Sequence, residues 1–202
     1  MILINSLPEN HSNSISKILI QWEKNLKTYE EKYEGADSIH WYLERTNIGA
    51  LASAIWMAGG VAIEEYSSKK VGERNYSGRN DLYFHIDDIK AVGEAKLAWI
   101  KTGAPKNENL MVLDVVKPIG EVIANAESDI GKVETEHEKF AIAFINTYHD
   151  VNTEEEIKAV NIIEKCLSNY ENLAVAKFCT SGRLESTKKN VCTRCYLVIA
   201  KR

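Results

Sequence analysis

The run Arg79-Asn80-Asp81 is followed, after one apolar stretch and a turn, by Glu94-Ala95-Lys96. Two carboxylates and an ammonium meet the requirement for hydrolysing a phosphodiester with a divalent cation: the acids hold the ion, and the lysine offsets charge on the phosphate. The groups meet if Asp87-Asp88 is a two-residue hairpin loop. Pairing then runs from Ile86 with Ile89, through Tyr83 with Val92, to Asp81 with Glu94. Directly opposed residues in such a pair have Cβ atoms about 4.5 to 5.5 Å apart. Strand periodicity also puts Lys96 on the face of Glu94. Two facing acids repel, and a cation between them relieves that repulsion, so the arrangement is poor as pure structure and good as a metal site. A one-residue slip would turn one strand's side chains to the opposite face.

The flanking sequence must position this hairpin. Ile15, Ile18, Leu19, Trp22, Leu26, Tyr29 and Tyr33 recur at helical spacing, which predicts an amphipathic helix over 14–34, ended by Gly35 and added to the front of the core. Asp37 or Ser38 is placed to cap a second helix that runs to the stop signal Gly59-Gly60. Val61 to Tyr66 reads as a strand, and Ser67 to Asn80 as a polar, basic loop or ragged hairpin. Asp81 to Ile86 and Ala91 to Ile100 are the strands of the hairpin itself. Helical sequence then follows Asn109, kinked or divided at Pro118, to about Asp129. The continuously apolar Phe140 to Ile145 predicts a central strand buried on both faces. Thr153 and Glu156 form a capping box for a last helix, and Leu173 to Cys179 and Cys195 to Ala200 are the final strands. The expected architecture is an α/β single domain over 1–202, a mixed central sheet with helices on both faces: 1–36 an addition, 37–150 the core, 151–202 a helix and terminal strands.

Composition is compatible with a folded enzyme. Hydrophobic residues make up 45% and charged residues 27% of 202, the balance of an ordinary globular chain. The first twenty residues lack a basic start followed by an apolar core, and no apolar run approaches the roughly 20 residues of a membrane span. A cytoplasmic protein is expected, with four reduced cysteines rather than a disulfide scaffold. A net charge of -4 argues against indiscriminate coating of nucleic acid. Local charge decides phosphate binding, however, and Lys69, Lys70, Arg74 and Arg79 lead directly into the strand of Asp81. These four are candidate contacts to a phosphate backbone, with Tyr76 placed to stack on a base; the alternative is a solvated, aggregation-blocking edge.

Glu44 stands out on its own helix. It shares a stripe with Ile48, Leu51 and Ile55, and an acid on a sheet-facing stripe is costly unless partnered, although the start of a helix favours acids. Glu64 and Glu65 fall on opposite faces of the first strand, so one of them is an outside candidate for the site.

Asp81, twelve intervening residues, then Glu94-Ala95-Lys96 resembles the signature of the PD-(D/E)xK nuclease superfamily, the restriction-endonuclease-like proteins. The predicted order from about 38 to 148, a helix, three antiparallel strands, a helix and a strand, is similar to that family's core. Asn80 stands where the name's proline would be. The resemblance implies a nuclease that hydrolyses DNA phosphodiester bonds, with Mg²⁺, or Mn²⁺ in its place, held by Asp81, Glu94 and the Ala95 carbonyl. It implies that Lys96 orients or helps deprotonate the attacking water, and that Glu44 matches the glutamate which the family's first core helix often presents to the metal. DNA is the implied partner, and a homodimer is compatible with it. A nuclease-like module that binds nucleic acid or protein without cutting is the rival reading.

Other constellations are weaker. Cys192-Thr193-Arg194-Cys195 has zinc-knuckle spacing, but a four-ligand site would need Cys179 and then Cys166 or His149. His85 shares the strand face of Asp81 yet lies near the turn, where exposure rather than catalysis is expected. No glycine-rich phosphate loop follows a strand, and no serine-centred nucleophile elbow is present.

Overall fold

The computed structural model describes residues 1–70, 76–102, 108–150, 154–180, 184–186 and 189–202. The elements are β1 (Ile2–Asn5), α1 (Glu9–Lys32), a short 3-10 turn (Ile39–Trp41), α2 (Glu44–Met57), β2 (Val61–Lys70), β3 (Tyr76–Ile86) and β4 (Ile89–Lys101). They continue with α3 (Glu108–Gly131), β5 (Val133–Glu134), β6 (Glu138–Asp150), α4 (Glu154–Ser168), β7 (Leu173–Cys179), β8 (Leu184–Ser186) and β9 (Lys189–Lys201). One mixed sheet runs in the order β1-β7-β9-β6-β4-β3-β2-β5, with β8 paired to β9 off that path. Only the β4–β6 pair is parallel among the described pairings, joined by the crossover through α3. The α/β class and the mixed sheet covered on both faces are as expected.

Alternation along β6 shows how the layers form. Phe140, Ile142 and Phe144 enter a cluster with Ile15, Trp22, Leu51 and Ile55 of α1 and α2. Ala141, Ala143 and Ile145 point the other way, to Ile119, Ile123 and Ile163 of α3 and α4. A strand buried on both faces has no polar side to show water, which is why this stretch reads as a continuous apolar run.

Several boundaries moved. The helix expected over 14–34 starts at Glu9, directly after Pro8, because its first two turns are polar and hide the period. It is no loose addition: Ile15, Leu19, Trp22 and Leu26 are fully buried, and the unforeseen β1 pairs with β7 at the sheet edge. The second helix starts at Glu44, not near Asp37. Asp37 is engaged elsewhere, accepting from the Ser38 amide at 2.8 Å and from the hydroxyls of Tyr29 and Tyr42. Of the segment 67–80, expected as a loop or ragged hairpin, the described residues take the hairpin form, extending β2 and β3 into a ribbon paired from Tyr66–Asn80 to Lys70–Tyr76. Charged residues mask strand propensity on such edges. Pro118 lies inside a continuous α3. The Thr153–Glu156 capping box begins outside the described residues. Among the described residues no helix is long and apolar enough to cross a membrane.

The Gly59-Gly60 stop works through two different requirements. Gly59 has φ +93°, which only glycine adopts freely, and a Cβ there would meet no atom within 4 Å. At Gly60 a Cβ would lie 2.7 Å from the His85 carbonyl oxygen and 2.9 Å from Ile55 Cγ2. Gly60→Ala is expected to lower stability by about 1–3 kcal/mol through overpacking against backbone. Urea unfolding measures it.

Candidate functional site

The β3–β4 hairpin has the register that the sequence predicts: Ile86 faces Ile89, Tyr83 faces Val92 and Leu82 faces Gly93. Asp87 turns the corner with φ +49°, a left-handed conformation that aspartate tolerates. Its carboxylate accepts from the Ser14 hydroxyl and, at 2.9 Å, from Lys17 Nζ, so α1 pins the turn. The ladder ends one pair before Asp81 and Glu94. Glu94 continues in register with Ala141 of β6, while β3 departs with β2.

Asp81 thus stands where the sheet divides. On its other side the β2–β3 ladder passes from Glu64–Leu82 to Tyr66–Asn80, skipping Glu65, whose φ is +51°. A glutamate held in that region stores strain, and such strain collects at functional sites. The Asp81 carboxylate fills the gap by accepting the Ala95 amide at 2.7 Å, the bond a neighbouring strand would otherwise take.

Three further groups surround this carboxylate. Glu94 is 3% exposed. Burial pushes its carboxyl up to about 7 and the charge of Asp81 adds to that, while a 2.6 Å bond from Lys70 Nζ and the charge of Lys96 pull it back. Glu44 reaches the same gap from α2, on the opposite layer. Burial raises its carboxyl, Asp81 and Asp129 raise it further, and Lys96 with the Leu97 amide opposes them. Lys96 pairs with Asp129 of α3 at 3.0 Å. Burial pulls the Lys96 ammonium down, but Asp129, Glu44 and Asp81 outweigh it and hold the pKa above the ordinary lysine value.

The charges of Asp81 and Lys96 therefore act on both Glu94 and Glu44. Among the described residues, though, no three His, Cys, Asp or Glu side chains stand together as a metal cage. The acids have different partners: Asp81 an amide, Glu94 the Lys70 ammonium, and Glu44 the Lys96 charge and an amide.

The basic residues separate. Lys70 turns inward to Glu94, Lys69 is exposed on β2, and Arg74 lies outside the described residues. Arg79 pairs with Glu65, which Arg45 also contacts at 3.0 Å. Tyr76 opens β3, and its ring lies outside the described residues. Asp129 is the residue that sequence reading missed. Its carboxylate accepts from Lys132 at 2.9 Å and from Lys96 at 3.0 Å; the Lys132 bond, followed by Lys96, holds its carboxyl below the usual range against the effect of burial. Its one local signal is the i, i+3 spacing to Lys132, which says nothing of Lys96.

The discounted groups gain no support. His85 is half-buried beside the turn, paired in register with Lys90. Cys195 is fully buried in the apolar cluster facing α1 and α2, which drives its thiol pKa up. Cys192 lies on the same strand, and its side chain is outside the described residues.

The buried glutamate gives a pH signature. A carboxyl raised from 4.5 to about 7 in the folded protein binds more protons than in the unfolded chain. Its contribution is intact below pH 4.5 and is lost as pH rises through about 7. His40, lowered to about 3 by burial, has the opposite sign between 3 and 6.5, so the two partly cancel in the wild type. The difference between Glu94→Gln and wild type isolates Glu94. Between pH 4.5 and 7 the variant should gain on wild type by up to about 1.4 kcal/mol per pH unit, measured by urea unfolding. A flat difference would show that Glu94 stays ionised throughout.

No protein-family model, curated protein or solved structure matches this chain.

Proposed function

We propose that this chain is a metal-dependent nuclease of the PD-(D/E)xK type, cleaving DNA phosphodiester bonds. The observation that carries the reading is the pairing of β3 with β4, which sets Asp81 against Glu94-Ala95-Lys96 where the sheet divides. The order α2, β2–β3–β4, α3 and then β6 parallel to β4 supports a restriction-endonuclease-like core. A cytoplasmic enzyme, working as a monomer or homodimer, is the setting this implies.

The donor set fits Mg²⁺ or Mn²⁺. Asp81, Glu94 and the Ala95 carbonyl are hard oxygen ligands, and magnesium needs few of them from protein. The charge of Asp81 acting on the buried Glu94 carboxyl also makes a place where positive charge is favoured. When bound, the ion supplies Lewis-acid polarisation of the phosphate and a more acidic water. The remaining work belongs to side chains. Lys96, kept as an ammonium by Asp129, donates to the attacking water and offsets charge gathering on the phosphate, so it orients rather than deprotonates. Glu44, which interacts with both Lys96 and Asp81, offers a second acceptor for that water. Arg45, Arg79 and Lys69, all exposed, supply backbone contacts at the rim.

The internal pairing of Glu94 with Lys70 and of Lys96 with Asp129 favours one second reading, a nuclease-like module that binds nucleic acid without cutting. Plasmid nicking tests the first. Supercoiled DNA should be converted to nicked or linear form in Mg²⁺ or Mn²⁺ and not in a chelator. DNA binding with no cut in either ion would give the chain to the second reading.

A further inference from the structure

Lys70 is set deep in the site by a specific route. Its ammonium lies 2.6 Å from Glu94 Oε1, with 15% of its side chain exposed. On the β2–β3 ribbon Ser68 faces Gly78 and Lys70 faces Tyr76, so Lys70 and Gly78 are diagonal neighbours. The lysine stem crosses that glycine. A Cβ at Gly78 would lie 3.0 Å from Lys70 Cδ, 3.1 Å from Cγ and 3.3 Å from Cε. The missing side chain at 78 is the groove through which Lys70 reaches Glu94.

Charge around the ammonium is uneven. Lys96 and Lys132 are both committed to Asp129. Lys70 is left as the cation in direct contact with Glu94, and that carboxylate is too buried to stand without one. A lysine ammonium and a divalent ion compete for the same oxygen. A compact, strongly hydrated charge on a flexible stem suits such an exchange.

We propose that Lys70 is the resident cation of the site: it holds the Glu94 carboxylate in place of a divalent ion, yields to that ion, and then pairs with the substrate phosphate. The inference rests on the metal-dependent reading above. With its stem still lying on Gly78, the displaced ammonium stays within reach of a phosphate drawn to the ion, where a charge-assisted hydrogen bond is available.

Calorimetric titration with Mn²⁺, without DNA, tests the exchange on wild type, Lys70→Met, Gly78→Val, Asp81→Asn and, as a control at the far end of the hairpin, Lys90→Met. If Lys70 covers Glu94 nine-tenths of the time, Lys70→Met should bind Mn²⁺ about tenfold more tightly than wild type. Gly78→Val should move in the same direction, because its side chain displaces the stem, and it decides the matter if Lys70→Met does not fold. Lys90→Met should match wild type. Unchanged or weaker binding by Lys70→Met and Gly78→Val, with Asp81→Asn abolishing it, overturns the exchange and leaves the metal site standing. No binding by wild type, Lys70→Met or Gly78→Val removes the metal site and the exchange together. A second arm measures affinity for a duplex DNA with and without Ca²⁺. Lys70→Met should weaken binding several-fold only when the ion is present; an equal loss without it would make Lys70 an ordinary backbone contact and overturn the proposal.

Discussion

Asp81→Ala should reduce Mg²⁺-dependent plasmid nicking by about 10³-fold or more, because charge stabilisation by a held ion contributes several kcal/mol to phosphoryl transfer. The substitution removes two things at once, an ion ligand and the acceptor of the Ala95 amide. Asp81→Asn separates them. Its amide oxygen can still accept from Ala95 and keep β3 against β4, while the negative charge is gone. Under the nuclease reading the two variants are equally inactive, and Asp81→Asn melts at nearly the wild-type temperature. Full nicking by Asp81→Asn would show that the residue serves only to close the gap in the ladder, and the cutting would belong elsewhere.

Lys96→Ala should lose about 10²- to 10³-fold in nicking rate while keeping Mn²⁺ and DNA affinity near wild type, as expected of a group that acts on charge developing in the transition state. The split between rate and binding is what matters. A lysine that merely held DNA would lose affinity instead. Asp129→Asn should fall between wild type and Lys96→Ala, since the amide still accepts from Lys96 but no longer supports its charge. An Asp129→Asn protein as inactive as Lys96→Ala would mean that Asp129 touches the reaction directly. If Lys96→Ala instead nicks at the wild-type rate, Lys96 is a structural partner of α3 and the motif is coincidental.

How much of this was legible in the sequence differs from group to group. The hairpin register was, because Asp87-Asp88 separates two runs of period two, and both the turn and the alternation are local. The odd acid on a helix stripe, Glu44, was legible for the same reason: i, i+4 and i+7 neighbours define a face without knowledge of the fold. For Lys70 the sequence leaves a loop and a ragged hairpin both open, since four basic residues in fourteen resemble a solvated stretch as much as a strand. Its inward course depends on Gly78, a residue that carries no side chain to suggest a partner. Asp129 could not have been found, because Lys96 lies 33 positions earlier on another element and only packing of α3 on β4 joins them.

The chain's sequence by itself determined which strands carry Asp81, Glu94 and Lys96 and the hairpin register from Ile86–Ile89 to Leu82–Gly93. Those facts follow from side-chain periodicity and one turn, and neither needs a distant contact. Tertiary structure decided what happens at the two acids. β4 continues beside β6 past Glu94 while β3 continues beside β2, and the β3–β4 ladder ends before Asp81. To that point come Glu44 from one layer, Asp129 from the other and Lys70 along the ribbon. Their meeting is a property of the closed sheet and its two helical layers, since residues far apart in the chain share a low-dielectric gap only after the whole fold has formed.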